Sequence, residues 1–233
     1  MLNVEHNGKV TKLTLNNPGK GNALSFVMVE ALIEQTTLAL ANRNIDTIEL
    51  HAEGSHFCTG LDLSNLDNET DGDLLHRLVR IETFLALIWA APITTKAYAK
   101  GRAWGAGADI FVACEHRVIE PNTTFRFPGA QFGIALGTGR LTDRIGSDEA
   151  RHLILHGKEF DANTAIHKGL ATGYITDHTS GELVVNRDAA AAIRAASRSN
   201  GRADADMAAL IRSASLPGLK QRIIQYRERA KKK

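Results

Sequence analysis

Two glycine-punctuated turns constrain this chain more than anything else in it. The first is His56-Phe57-Cys58-Thr59-Gly60-Leu61-Asp62-Leu63; the second, about forty residues later, is Gly101-Arg102-Ala103-Trp104-Gly105-Ala106-Gly107-Ala108-Asp109. Each reads as a strand that ends in a tight turn and opens a helix. Such a turn leaves backbone N–H groups without helical partners. Two of them aimed at one point make a site for an oxygen that gains negative charge during a reaction.

The rest of the chain alternates in period around these turns. Leu2, Val4 and His6, then Val10 to Leu15, alternate on either side of Asn7-Gly8, a hairpin signal. Asn17-Pro18-Gly19-Lys20-Gly21 is a loop, and Ser25 caps a helix over 26–41. A strand over 48–52 enters the first turn. The acidic stretch Asp62 to Asp73 is expected to be a mobile segment. A helix from Leu74 to Ala91, closed by Pro92, leads to a strand over 94–99 and the second turn. A helix over 106–114 and a strand over 117–120 follow. Residues 125–139 mix a short strand with a glycine-rich loop. Helices over 148–155 and 162–168 and a strand over 174–176 complete an α/β core expected to span 1–180. From about residue 181 the chain is alanine-rich with few β-formers. Helices over 183–199, 203–214 and 219–230 form an all-helical C-terminal part, 181–233.

Composition excludes some classes. The chain is 43% hydrophobic and 23% charged, ordinary for a soluble globular protein. No apolar run reaches the ~20 residues of a membrane helix, and the N-terminus lacks a signal-peptide core. Only two cysteines occur, Cys58 and Cys114, both in apolar surroundings; reduced thiols and a cytoplasmic location are expected. Gly137-Thr138-Gly139 is not a dinucleotide fingerprint, and 17–25 lacks the spacing of a phosphate-binding loop. The histidines are scattered, and His152 and His156 form a surface pair without an adjacent acid, so no metal is expected. Net charge is +2, yet residues 186–233 hold 12 Lys and Arg against 4 Asp and Glu. The basic end reads as a solvated helix terminus, as a screen for cofactor phosphates, or as an attractor for RNA or an acidic partner. Nucleic acid is the least favoured of these partners.

With Asn22-Ala23-Leu24 near the start, the two turns make the chain resemble the crotonase superfamily, the enoyl-CoA hydratase/isomerase group, from about residue 2 to 178. The resemblance implies a spiral of stacked ββα units assembled as a trimer or a pair of trimers. In it the C-terminal helices hold subunits together or cover the active site. It also implies an acyl-CoA substrate, with coenzyme A as part of that substrate and no prosthetic group. The thioester oxygen would be held by the amides of Leu61 and Ala106, with Gly60 and Gly105 allowing close approach. Lys20, Ala23 and Leu24 would help cradle the coenzyme, and Lys20 reads equally as an exposed loop lysine. Leu61, Asp62 and Leu63 would line the pantetheine channel, with Trp104 and Gly129 also at the substrate. Asp62 reads as an acid satisfying free amides in a first helical turn.

Hydratases of this group use two carboxylates. The first position falls on Asp109, an Asp where those enzymes carry Glu; it reads as a catalytic base or as a structural acid near a helix start. The second falls on Gly129, and an alternative isomerase position on Gly137. Glu115, His116, His56 or His76 would have to enter the pocket to supply another group. The expected function is therefore isomerase-like or other enolate chemistry rather than efficient hydration. The alternatives are a hydratase of low efficiency and a non-catalytic acyl-CoA-binding member.

Overall fold

The computed structural model describes residues 1–177, 183–199 and 201–231. Strands β1 (Leu2–Asn7) and β2 (Val10–Leu15) form the expected hairpin, and Ser25 caps α1 (Phe26–Ala41) by accepting from the Met28 amide at 3.2 Å. Next come β3 (Thr47–Ala52), α2 (Asp71–Ala90), β4 (Thr94–Ala99), β5 (Arg102–Trp104), α3 (Ala106–Ala113), β6 (His116–Ile119) and β7 (Thr124–Arg126). The remainder holds α4 (Thr138–Ile145), α5 (Ser147–His156), β8 (Phe160–Asp161), α6 (Ala162–His167), β9 (Gly173–Tyr174), α7 (Arg187–Ala196), α8 (Arg202–Ala214) and α9 (Leu219–Lys231).

A six-stranded sheet runs β1-β2-β3-β4-β6-β9, parallel except for the first pair; a second sheet runs β5-β7-β8. Successive strands of one unit therefore enter different sheets: β4 joins the large sheet, and β5 pairs in parallel with β7 in the small one. Isolated bridges Leu24–Leu61 and Cys58–Ala103 stitch the first turn to the loop before α1 and to β5. Leu13, Ile48, Leu50, Ala97, Phe111 and Phe125 meet in the main core. A second cluster, including Leu66, Leu78, Ile134, Leu210 and Ile223, fastens the C-terminal helices over α2. Among the described residues no helix is long and apolar enough to cross a membrane.

Several expectations need correction. The first turn does not open a helix: after Leu61 the chain bends, makes a 3-10 turn at Leu66–Asn68, and enters α2 at Asp71. Asp62 therefore lies outside any helical turn, and its carboxylate accepts from the Ser64 amide at 2.8 Å. Nor is the acidic stretch left loose. Thr70 and Asp73 form a reciprocal capping box that starts α2 three residues early. Asp71 accepts the amides of Gly218, Leu219 and Lys220 at 2.8 to 3.1 Å, capping α9 and holding that carboxyl below its usual range. The glycine-rich 125–139 region ends in a helix, α4, that begins on Thr138. Helix α7 is shorter than expected because Asn186 caps it. The expected core boundary at 180/181 lies outside the described residues.

Candidate active site

Both glycine turns open onto one apolar cavity of about 850 Å³, counting its open mouth. Its lining includes Gly60, Leu61, Leu63, Trp104, Gly105, Ala106, Asp109 and Gly129. The glycines are needed there. Gly60 (φ +95) and Gly105 (φ +53) adopt conformations that L residues avoid. A Cβ on Gly60 would lie 2.9 Å from the Trp104 carbonyl oxygen and 3.4 Å from the Ala106 nitrogen, so the turns are in backbone contact.

Hydrogen bonding orients the first of the two amides, and the start of α3 leaves the second without a helical acceptor. Leu24 donates to the Gly60 carbonyl at 2.7 Å, and the Asp62 amide donates to the Leu24 carbonyl at 3.1 Å. Between them, the Leu61 N–H faces away from Leu24. Ala106 is the first residue of α3, whose N-cap Gly105 supplies no side-chain acceptor, so its amide keeps the partial positive charge of a helix start. The turn carrying Leu61 is clamped by Arg77 of α2, which donates to the carbonyls of Leu24 (3.1 Å) and Asp62 (2.6 Å) and pairs with Glu69.

Asp109, one turn into α3, is 5% exposed. Burial, reinforced by the charges of Glu82 and Asp206 and opposed by Arg140, raises its pKa well above the usual carboxylate range. Gly137 at the start of α4 makes room for it: a Cβ there would come within 2.7 Å of the Asp109 carboxyl carbon. The second acid position, Gly129, lines the cavity without a carboxylate. Glu115 pairs with Arg194, His56 accepts the Arg102 amide, and His76 packs on Phe26. Those three and His116 stand outside the cavity lining, so Asp109 is its one carboxylate among the described residues.

Four other sequence-derived site residues, Lys20, Ala23, Leu24 and Asp62, are not among the cavity's lining. Ala23 and Leu24 are buried, and Leu24 spends its backbone on the first turn. Lys20 bonds Ser64 at 2.8 Å and Asp62 at 3.4 Å, in a separate depression beside α1. Asn22, between them, is fully buried and ties Asn17, Glu53 and His56 together through their backbones. Trp104, which does line the cavity, has the guanidinium groups of Arg102 and Arg126 over its ring, 4.6 and 5.8 Å from the ring centroid.

Sequence reasoning missed the cavity's outer wall. Leu78 of α2, Ile134 and Leu136, Ile154 of α5, and Ile223 and Tyr226 of α9 also line it, so the chain's own C-terminal helix forms part of the wall of its own cavity. Both cysteines are free and fully buried, and burial pushes each thiol up to about 12, which disfavours the thiolate near neutrality. Among the described residues no group of three His, Cys, Asp or Glu side chains is placed to hold a metal ion.

The sequence profile of the enoyl-CoA hydratase/isomerase family matches residues 10–229. The probable enoyl-CoA hydratase echA6 of Mycobacterium tuberculosis is 29% identical over 203 residues, covering 85% of this chain and 81% of that one. Ethylmalonyl-CoA decarboxylase of Gallus gallus is 30% identical over 181 residues, 75% of this chain and 60% of that one. Among solved structures, a candidate enoyl-CoA hydratase/isomerase of Bordetella parapertussis superposes with a TM-score of 0.90 at 34% identity, covering 97% of both chains. An α/β fold of strand–strand–helix units, two converging glycine turns and a profile match over nearly the whole length place this chain in the enoyl-CoA hydratase/isomerase family of the crotonase superfamily.

Proposed function

We propose that the chain binds an acyl-CoA thioester in the apolar cavity and converts it through an enolate. The Leu61 and Ala106 amides hold the thioester oxygen, and Asp109 is the one acid–base group. The reading is supported by a cavity lined by Leu61 and Ala106, whose turns are in backbone contact, and by Asp109, its one carboxyl among the described residues. An enolate oxygen carries charge that the ground-state carbonyl lacks, so fixed amides stabilise the transition state more than the substrate; one such donor is worth about 3–4 kcal/mol.

Hydration needs one group to activate water and another to deliver a proton, and Gly129 offers neither. A double-bond shift needs Asp109 to start ionised, which burial opposes. Loss of CO2 from a malonyl-type thioester needs no base. The bond from the α-carbon to the carboxylate breaks, its electron pair becomes the enolate, and Asp109 gives its proton to that carbon. Water then returns a proton to Asp109. The substrate carboxylate would also lose solvation among apolar walls, which favours its departure. Two relatives bear the name ethylmalonyl-CoA decarboxylase.

Turnover against enoyl-, dienoyl- and malonyl-type thioesters, with wild type and Asp109→Asn, tests this reading. Conversion of at least one thioester, reduced about 10²-fold or more in the variant, is expected. Equal activity in both proteins would remove Asp109 from the mechanism. Binding without any conversion would make the chain a non-catalytic acyl-CoA binder.

A further inference from the structure

Behind Asp109 lies a cluster of charges that the reaction described above does not use. Arg140 of α4 is fully buried, and its guanidinium bonds both oxygens of the fully buried Glu82 on α2, at 2.5 and 3.1 Å. On its other side it stands 3.3 Å from Asp206 of α8, itself 5% exposed. The Arg140 Nε and one Asp206 oxygen have no hydrogen-bond partner. Arg140 thus serves two carboxyls, Glu82 and Asp206, while a third, Asp109, packs against Gly137, three residues before Arg140.

The Gly137-Thr138-Gly139 run, which fits no nucleotide motif, seats two of them. Gly137 leaves room for the Asp109 carboxyl; a Cβ on Gly139 would overlap the Asp206 carboxylate and come within 2.9 Å of the Arg202 guanidinium carbon. Compensation is unequal. Glu82 has two direct bonds to the cation. Asp206 has Arg140 and, at 3.8 Å, Arg202, which is itself bonded to Asp143. Among the described residues Asp109 has no cation within bonding distance.

Other charged groups on the packed elements are committed elsewhere. Arg77 of α2 holds the first turn, and Lys96 of β4 pairs with Glu49. Arg102 of β5 lies over Trp104, and Arg144 of α4 lies over Trp89. Tyr226 of α9 lines the cavity.

We propose that Glu82 and Asp206 act as positioning residues that consume the Arg140 charge and so keep Asp109 protonated, making Asp109 a proton donor whose state is set by the C-terminal helix α8. The inference rests on the enolate reading for its use, but not for its test. A third ionised carboxyl beside an already shared cation would stand uncompensated in a dry interior, so the proton stays on the group that makes no ion pair among the described residues. Removing Asp206's charge lets Arg140 act on Asp109.

The experiment is infrared difference titration of the whole chain. The protonated-carboxyl band of Asp109 is identified by its loss in Asp109→Asn. In wild type that band should persist at pH 7. In Asp206→Asn its midpoint should move to lower pH, and Glu82→Gln, a second variant should the first misfold, should move it the same way. A purely structural role for Asp206 would lower thermal stability and leave the midpoint in place. An unmoved midpoint in a folded variant, or no protonated band in wild type at pH 7, overturns the proposal. A moved midpoint in a chain that converts no thioester would leave this proposal standing and remove the enolate reading alone.

Discussion

Gly107 is where the geometry of the two amides can be tested most directly. A Cβ at this position would run into the Cys58 carbonyl oxygen and lie 2.8 Å from its carbonyl carbon, against the 3.4 Å at which ordinary contact begins. The Cys58 backbone must therefore retreat by at least about 0.6 Å. It is not free to do so, because Cys58 donates to Arg102 at 3.1 Å and accepts from Trp104 at 2.9 Å. Leu61 lies three residues beyond Cys58 and Ala106 one residue before Gly107, so the retreat moves the two amides apart. A donor at about 2.9 Å that slips by 0.6 Å is no longer a hydrogen bond. Losing one donor costs about 10²–10³ in kcat, or ~3–4 kcal/mol. Overpacking costs a further ~1–3 kcal/mol of stability. Gly107→Ala should thus keep most of its affinity for acyl-CoA, measured by calorimetry, while kcat falls and the infrared shift of the bound thioester carbonyl shrinks. Gly19→Ala is the control, since open space surrounds that position and no positive φ is required; it should match wild type. A folded Gly107→Ala protein with wild-type kcat and carbonyl shift would refute the convergence of these amides on one oxygen.

Two further outcomes follow from burial. Asn22→Ala strips partners from the Asn17 amide and the Glu53 and His56 carbonyls and leaves alanine at φ +55; chemical denaturation should show a loss of about 2–4 kcal/mol, and a loss under ~0.5 kcal/mol would contradict the structural role given to Asn22. Asp109→Asn should change stability in a pH-dependent way. The native pKa of Asp109 is raised, so its favourable contribution is complete below the unfolded value of 3.8 and is lost as pH rises through the native one; each unit of displacement is worth ~1.4 kcal/mol. The variant's melting temperature should therefore gain on wild type from pH 4 upward, and a constant difference across that range would show that Asp109 is not displaced.

What was legible in the residues was whatever a backbone demands locally. Gly60 and Gly105 stand at positive φ and Gly107 at a close approach, where a side chain is costly, so the turns could be read directly, and Asp109 followed from its place three residues after Ala106. Glycine also misled: the punctuation of the first turn looks like a helix start, yet α2 begins only where Thr70 and Asp73 can cap it. The acidic stretch looked mobile because its partners are distant in sequence; Asp71 finds its donors at 218–220. The Gly137-Thr138-Gly139 run failed as a nucleotide motif because its glycines serve two carboxyls that approach from α3 and α8. The same distance hides what governs Asp109. Glu82, Arg140 and Asp206 sit on three helices, each with ordinary neighbours in sequence, and no local period marks them as a unit. Only packing α8 against α2 and α4 brings two acids to one arginine. A buried acid's chemistry is thus decided by side chains up to about a hundred residues away, and a chain read for its motifs alone will show the amides that hold an oxygen well before it shows which protonation state waits beside them.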